Sequence, residues 1–138
     1  MTNDTNIHLP GEWAPQDAIL ISWPHEDTDW NYMLQEVQDC YIQIASAVTE
    51  HENLIIVTPN PESVKQQLQA LPNQDKIHIY KVETNDTWAR DFGPITILDH
   101  QKPIALDFKF NGWGLKFAAC KDNLINRNLE AASLFAAP

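Results

Sequence analysis

The strongest constraint on the fold is a run of four apolar residues, Leu54-Ile55-Ile56-Val57. A strand without alternating polar positions must be covered on both faces, which is typical of parallel strands in α/β proteins. A second apolar run, Ala18-Ile19-Leu20-Ile21-Ser22-Trp23, is closed by Pro24 and predicts another strand. Helices are therefore expected to pack over a sheet that contains both strands.

A helical pattern lies between these two strands. Asp27-Thr28-Asp29 offers side chains that can cap a helix start. Apolar residues then recur at three- and four-residue steps and predict one buried helix face: Met33, Leu34, Val37, Tyr41, Ile44, Ala45 and Val48. Cys40 falls within this pattern, so we expect it to be a buried, apolar thiol.

Predicted helices and strands continue to alternate after Val57. Pro61-Glu62 opens a second helix, whose inner face we expect to carry Val64, Leu68 and Leu71. The segment 76–82 alternates between apolar and polar residues and predicts a strand with one wet face. His78 falls on that wet face and is expected to be exposed.

The second half of the chain predicts a hairpin and a final helix. The segments 92–98 and 104–110 are expected to form antiparallel strands, joined by a turn that contains His100. Phe108 and Phe110 would then share one face in the core. A last helix is expected from about Asn123, with Leu124, Ile125, Leu129 and Leu134 inward. The order β-α-β-α-β-β-β-α predicts an α/β fold.

Composition narrows the function. Hydrophobic residues make up 43% and charged residues 20% of the 138 residues, which is typical of soluble globular proteins. No apolar run is long enough for a membrane helix, and the polar N-terminus lacks a secretory pattern, so we expect a cytoplasmic protein. A net charge of −10 argues against a nucleic-acid partner. An acidic surface suits a cationic ligand, although it also serves solubility alone.

The densest chemistry lies in the segment 83–94. Asp86, Trp88, Arg90 and Asp91 fall within six positions at the end of a predicted strand. A planar cation can stack on an indole, and a carboxylate can accept two N–H bonds from a guanidinium edge. Together they suggest a guanidinium pocket. The alternative is internal: either aspartate pairs with Arg90, while Trp88 packs in the core.

Two further blocks contain conspicuous aromatic residues. Gly112-Trp113-Gly114 predicts a tight loop that presents Trp113 either as the wall of a ligand site or as a lid over the core. The segment 10–25 ends in Ser22-Trp23-Pro24-His25, where His25 is expected to be a surface turn residue. No phosphate loop, nucleophile elbow or zinc pattern occurs, so we expect neither a metal nor another cofactor.

Taken together, three blocks resemble the agmatine deiminase and bacterial peptidyl-arginine deiminase family. The family opens with a pattern similar to Pro10-x-Glu12-Trp13-x-Pro15, followed by a strand end like Ser22–His25. Its strongest signature is similar to Asn85–Pro94, and its next block resembles Asp107–Gly114. The three blocks occur in the family's order over nearly the whole chain, which matches the N-terminal portion of the family.

The resemblance implies both a fold and a reaction. The fold would be a pentein, a ring of five ββαβ-type units, of which residues 1–138 would supply about two as part of one catalytic domain. The reaction would be hydrolysis of agmatine to N-carbamoylputrescine and ammonia, in polyamine biosynthesis. In that reaction a cysteine thiolate attacks the guanidinium carbon, a histidine moves protons, and two carboxylates hold the nitrogens. The partner would be a small guanidinium compound; a homo-oligomer stays open.

Residues carry over from the family by position. Asp91 matches a catalytic carboxylate that binds the guanidinium, and Trp88 matches a tryptophan that contacts substrate. Trp113 matches the tryptophan of the later block. We expect Asp86 to brace the loop from behind the ligand contacts, and Arg90 to be structural.

The chain also departs from the family. Leu115 stands where another glycine is common, and neither Cys40 nor Cys120 matches the nucleophile motif near the family's C-terminal end. The final helix is followed by no further strand, as expected of a sequence that is cut short. We therefore expect the chain alone to be inactive. The alternatives are a peptidyl-arginine deiminase and a non-catalytic domain that binds guanidinium compounds.

Overall fold

The computed structural model describes residues 6–134, which form two small sheets with helices around them. In chain order the elements are β1 (Ile7–His8), β2 (Ala18–Ser22), α1 (Leu34–His51), β3 (Asn53–Thr58), α2 (Pro61–Leu68), β4 (Ile77–Lys81), α3 (Ala89–Phe92), β5 (Ile95–Asp99), β6 (Lys102–Leu106), α4 (Gly112–Leu115) and α5 (Ile125–Ala131). Single 3-10 turns occupy Asn31–Met33, Gln74–Lys76 and Asp122–Leu124.

The first sheet is parallel and has the strand order β2-β3-β4. Leu20 of β2 lies opposite Ile55 of β3, which in turn lies opposite His78 of β4. Helices α1 and α2 connect the three strands, so this half of the chain is a β-α-β-α-β unit. The prediction of an α/β fold is confirmed, as is the exposure of His78 on the outer strand.

The central strand β3 is covered on both faces, as its sequence predicts. Leu54 and Ile56 point to one side, where they pack with Ala45 of α1 and with Val64 and Leu68 of α2. Val57 and Ile55 point to the other side, toward a second cluster that contains Val82, Phe92, Ile125 and Leu129. Each fully buried aliphatic side chain of this kind contributes about 1.5–3 kcal/mol. This second cluster anchors α5 beneath the loop that follows β4.

The second sheet is antiparallel, with the order β1-β5-β6. His100 and Gln101 form its hairpin turn with φ angles of 47° and 67°, the left-handed region that two-residue hairpin turns require. The antiparallel pair and the position of His100 in its turn are confirmed. Strand β1 contains two residues, too few for alternation to reveal it.

Both predicted strands of the hairpin are too long. Phe92 belongs to the helical turn α3, because the N–H of Gly93 bonds to the carbonyl of Ala89 and bends the chain there. After β6, the backbone of Phe110 bonds to the side-chain amide of Asn123, which takes the place of a strand partner. Phe108 is 60% exposed, so its placement in the core is wrong.

The first helix starts later than its sequence suggests. The Thr28 hydroxyl donates to the carbonyl of His25 and closes a turn, instead of capping the helix, so the predicted cap at residues 27–29 is wrong. Cys40 is exposed on α1 and Ile44 is 40% exposed, which contradicts their predicted burial. Leu124 is also exposed, because it lies in the 3-10 turn that precedes α5 and not on the inner face of that helix.

Helix α2 begins as predicted, with Pro61 in its first turn and the Asn60 side chain accepting from the N–H of Ser63. No helix within residues 6–134 is long and apolar enough to cross a membrane. The predicted chain end at residues 136–138 lies outside the described residues.

Candidate functional site

The loop that follows β4 carries the candidate site. Its residues Thr84, Asp86 and Thr87 are buried, although all three are polar. The Ser22 hydroxyl at the end of β2 donates to the carbonyl of Asp86 at 2.8 Å. Two parallel strands therefore hold the loop at their carboxyl ends, where α/β sheets commonly place ligand sites.

Asp86 and Thr87 fix two tryptophan rings. The Oδ2 atom of Asp86 accepts from the indole nitrogen of Trp88 at 3.1 Å, and its Oδ1 accepts from the backbone N–H of Thr87 at 2.8 Å. The Thr87 hydroxyl accepts from the indole nitrogen of Trp30 at 2.8 Å. The two rings lie 6.0 Å apart between centroids. The orientation of Trp88 is thus set from behind by a buried carboxylate.

A single helical turn brings Trp88 and Asp91 together. The N–H of Asp91 donates to the carbonyl of Trp88 at 2.9 Å, at the start of α3. An extended chain would have sent these two side chains to different faces. The turn instead leaves both exposed at one opening, with Phe92 buried beneath them.

This opening is a cleft of about 380 Å³, lined by Asp29, Trp88, Asp91, Trp113 and Phe117. The rings of Trp88 and Trp113 meet edge to face, with centroids 6.3 Å apart. Trp88 is 42% and Trp113 is 38% exposed, so both rings face solvent in part. The structure therefore brings Trp88, Asp91 and Trp113 into one cleft, and Trp113 is part of its wall.

The loop that presents Trp113 has unusual backbone geometry. Residues 112–115 all have positive φ, including 53° at Trp113 and 66° at Leu115. Phe110 and Phe117 pack edge to face against the Trp113 ring at 4.9 and 5.5 Å. At Gly112 a Cβ would collide with the carbonyl oxygen of Phe117. A glycine is needed there for the close approach as well as for its φ of 60°.

The charge of the cleft is negative. Among the described residues, Asp29 and Asp91 are the charged groups of its lining, which contains no lysine, arginine, histidine or cysteine. Behind them, burial raises the pKa of Asp86; hydrogen bonds from Thr87 and Trp88 oppose the shift and the Asp29 carboxylate adds to it. Indole faces beside carboxylates can bind a flat cation through stacking and paired N–H bonds.

The internal alternative for this segment is not what the structure contains. Arg90 is exposed, and none of the ion pairs among residues 6–134 involves it. Asp86 binds the Trp88 indole, and Trp88 lies at the surface.

The position of His25 differs from the prediction. It is 7% exposed, so the expected surface turn residue is in fact buried. Its Nδ1 accepts from the N–H of Asp27, so in the neutral ring Nε2 carries the hydrogen and donates to the Thr84 hydroxyl at 2.9 Å. Burial lowers the pKa of His25, which favours this neutral form. Within the described residues no cluster of side chains suitable for a metal ion occurs.

Three residues in or beside the cleft escape sequence reasoning: Asp29 and Phe117 line it, and Trp30 lies beside Trp88. Asp29 looks like part of a helix cap, because capping and ligand-binding aspartates have the same sequence context. Trp30 and Phe117 stand outside any recognisable motif. The signal that could have found Trp30 is its place in an acidic, aromatic stretch directly after the predicted first strand.

Comparison with known proteins defines the family. The sequence profile of the Porphyromonas-type peptidyl-arginine deiminases matches residues 8–137. The chain belongs to this family, and it fits the family's N-terminal portion.

Individual relatives agree. The chain is 29% identical to the agmatine deiminase of Pseudomonas putida over 111 residues, which cover 78% of this chain and 29% of that enzyme. A C. jejuni agmatine deiminase, solved as a cysteine-to-serine variant with substrate bound, superposes with a TM-score of 0.85 and 35% identity. A Porphyromonas gingivalis protein, provisionally named an arginine deiminase, is 46% identical with a TM-score of 0.84.

The chain is short beside these proteins. It covers 37% of the C. jejuni chain and 38% of the P. gingivalis chain, while 93% and 95% of its own length is matched. The mixed α/β structure is thus that of the pentein-fold deiminases over a little more than a third of their length.

Proposed function

We propose that this chain forms the N-terminal part of a guanidine deiminase and that its cleft binds the guanidinium group of agmatine. One observation carries the proposal: Trp88 and Asp91 present an indole and a carboxylate at the same opening. A guanidinium is flat, positive and rich in N–H donors, so it can stack on the one and pair with the other. The relatives named as agmatine deiminases support the same reading.

The charge of the cleft favours agmatine over free arginine. Asp29 and Asp91 are both acidic, and the described lining offers no cation. Agmatine carries a guanidinium and an ammonium group, whereas arginine also carries a carboxylate that these acids would repel. A peptidyl arginine lacks that free carboxylate when it is internal, so a peptide is the alternative substrate.

The reaction proposed for the complete protein is hydrolysis. A cysteine thiolate adds to the guanidinium carbon, ammonia leaves, and water then releases the ureido product, N-carbamoylputrescine. A resonance-stabilised cation is a poor electrophile, so the site has to orient it and supply a strong nucleophile. Cys40 and Cys120 are exposed, and neither lines the described cleft. The proposed role of this chain is therefore to bind and orient, without turnover of its own.

We extend the proposal to the fold, location and pathway of the complete protein. The chain would supply about two of the five ββαβ-type units of a pentein ring, in a cytoplasmic enzyme of polyamine biosynthesis. A non-catalytic domain that binds guanidinium compounds is the second candidate, and the described cleft lining, which contains no cysteine, fits both candidates.

Calorimetry and an ammonia assay test the proposal together. Agmatine should bind the chain more tightly than arginine, and more tightly than putrescine, which lacks the guanidinium group. No ammonia should be released by the chain alone. Equal affinity for agmatine and putrescine would contradict the proposal that the cleft recognises a guanidinium group. Ammonia release that Cys120→Ala abolishes would show that the chain does contain a nucleophile.

A further inference from the structure

A buried carboxylate in the 3-10 turn before α5 holds the backbone of the candidate site loop without lining the cleft. The Oδ1 atom of Asp122 accepts from the N–H of Asn85 at 2.6 Å and lies 3.4 Å from the N–H of Asp86. Asp122 is 2% exposed and does not line the cleft. It belongs to none of the three blocks on which the family resemblance rests.

The contact is reciprocal. The Oδ1 atom of Asn85 accepts from the N–H of Lys121 at 2.7 Å and from the N–H of Asp122 at 3.2 Å. Each side chain thus binds the backbone of the other segment, so the two segments form a clamp 36 to 37 residues apart in sequence. A shift of either segment would break several hydrogen bonds at once.

The clamp is anchored to the core on its far side. Ile125 and Leu129 of α5 are fully buried in the cluster that also holds Val57 and Phe92. Asp122 therefore has a fixed position, whereas Asn85 begins the loop that carries Asp86 and Trp88 toward the cleft. A rigid support of this kind lowers the cost of ordering a site when ligand binds.

We infer that Asp122 is a positioning residue, which fixes the backbone at residues 85–86 so that Asp86 can orient the Trp88 ring for a guanidinium ligand. The inference rests on the proposed function for the ligand, but the positioning can be measured without one. Burial raises the pKa of the Asp122 carboxyl, and the hydrogen bonds from the backbone N–H groups of Asn85 and Asp86 partly offset this shift.

The test compares Asp122→Ala with two other variants. Asn85→Ala cuts the same clamp from a half-buried position, which keeps the test available if Asp122→Ala does not fold. Ile125→Val is the matched control, because it perturbs the core contact of the same segment without touching the clamp. Asp122→Asn, which keeps an acceptor oxygen, should restore part of any loss.

Amide hydrogen exchange and near-UV circular dichroism report on positioning alone. Asp122→Ala should accelerate exchange at residues 85 and 86, whose amides lose their acceptor, and Asn85→Ala should do so at residues 121 and 122. Both variants should weaken the signal of the Trp88–Trp113 pair, while exchange in β3 stays unchanged. The control should leave both signals as in the wild type. Unchanged exchange at these amides and an unchanged tryptophan signal in the folded clamp variants would overturn the inference.

Titration with agmatine then tests whether the clamp affects ligand binding. The dissociation constant should rise about tenfold or more in Asp122→Ala or Asn85→Ala, because small misplacements of binding groups are costly, and it should change less than about twofold in Ile125→Val. If the wild type binds no agmatine, the proposed function fails while exchange and dichroism still decide the positioning role. If amide exchange in the clamp rises while the affinity for agmatine stays unchanged, the link between positioning and binding is overturned.

Discussion

The Oδ2 atom of Asp86 accepts a hydrogen bond from the indole nitrogen of Trp88 at 3.1 Å, and this bond turns the ring toward the cleft. The acid is buried, while the indole is 42% exposed. A buried side chain thus controls a surface aromatic ring. The candidate site depends on this pair as much as on the groups that face the ligand.

Removing the Asp86 carboxylate should free the Trp88 ring. In Asp86→Ala the N–H of Thr87 loses its buried partner, which costs about 1–3 kcal/mol of the free energy of unfolding, less the gain from removing a desolvated charge. Near-UV circular dichroism of the tryptophans and urea unfolding measure the two effects. Asp86→Asn keeps one acceptor oxygen and should lie between the wild type and Asp86→Ala. An unchanged tryptophan signal in Asp86→Ala would contradict the bracing role.

The glycine loop offers a matched pair of substitutions. Gly112→Ala meets both a positive φ and the carbonyl of Phe117, whereas Gly114→Ala meets the positive φ in open space. We expect Gly114→Ala to cost about 1 kcal/mol, and Gly112→Ala to cost about 1–3 kcal/mol more, since backbone has to shift. Urea unfolding of both variants checks the difference. Equal losses would mean that the Phe117 contact relaxes freely.

Buried His25 should make stability depend on pH. Burial lowers the pKa of His25 below its ordinary value of 6.5, so between the two values the unfolded chain binds more protons than the folded one. The contribution of this residue to stability is therefore complete above pH 6.5 and is lost as pH falls, by at most about 1.4 kcal/mol per pH unit. The buried acids act in the opposite sense at lower pH, because the pKa values of Asp86 and Asp122 are raised.

Urea unfolding at pH 7.5 and 5.5 isolates the His25 effect when the wild type is compared with His25→Gln. The glutamine amide can still donate to the Thr84 hydroxyl, but it does not titrate. The stability advantage of the wild type should shrink at the lower pH. A constant difference between the two proteins would show that folding does not lower the pKa of His25.

Local sequence pattern predicts the parallel half of the fold and fails where side chains bond to backbone outside a regular helix or strand. The burial of Leu54 and Ile56 follows from an unbroken apolar run, which only a two-sided cover can satisfy. By contrast, Thr28 looks like a helix cap but bonds to His25, and Asn123 looks like a helix start but pairs with Phe110. The partner of Asn123 lies 13 residues away, and the residue types around Thr28 suit a turn as well as a helix cap.

The candidate site likewise contains residues that the sequence predicts and residues that it does not. Trp88 and Asp91 stand out because indole and carboxylate together suit one kind of ligand. Asp29 joins the cleft only through the turn that precedes α1, and Asp122 supports the loop from 37 residues away. These residues contribute through tertiary structure, for which no local motif exists.

The central claim is that Asp91 and Trp88 recognise a guanidinium group together. Asp91 is exposed, so Asp91→Asn should change the free energy of unfolding by less than about 0.5 kcal/mol. It should weaken agmatine binding by about 2 kcal/mol, roughly thirtyfold, because it removes a charge-assisted pair. Asp75→Asn is the matched control, an exposed acid in the turn before β4, and should leave affinity unchanged.

Isothermal titration of agmatine into the wild type, Asp91→Asn and Asp75→Asn is the most direct measurement. We predict a roughly thirtyfold loss of affinity in Asp91→Asn and no loss in Asp75→Asn. Equal affinity in all three proteins would contradict it, because the guanidinium would then bind without the carboxylate at the mouth of the cleft.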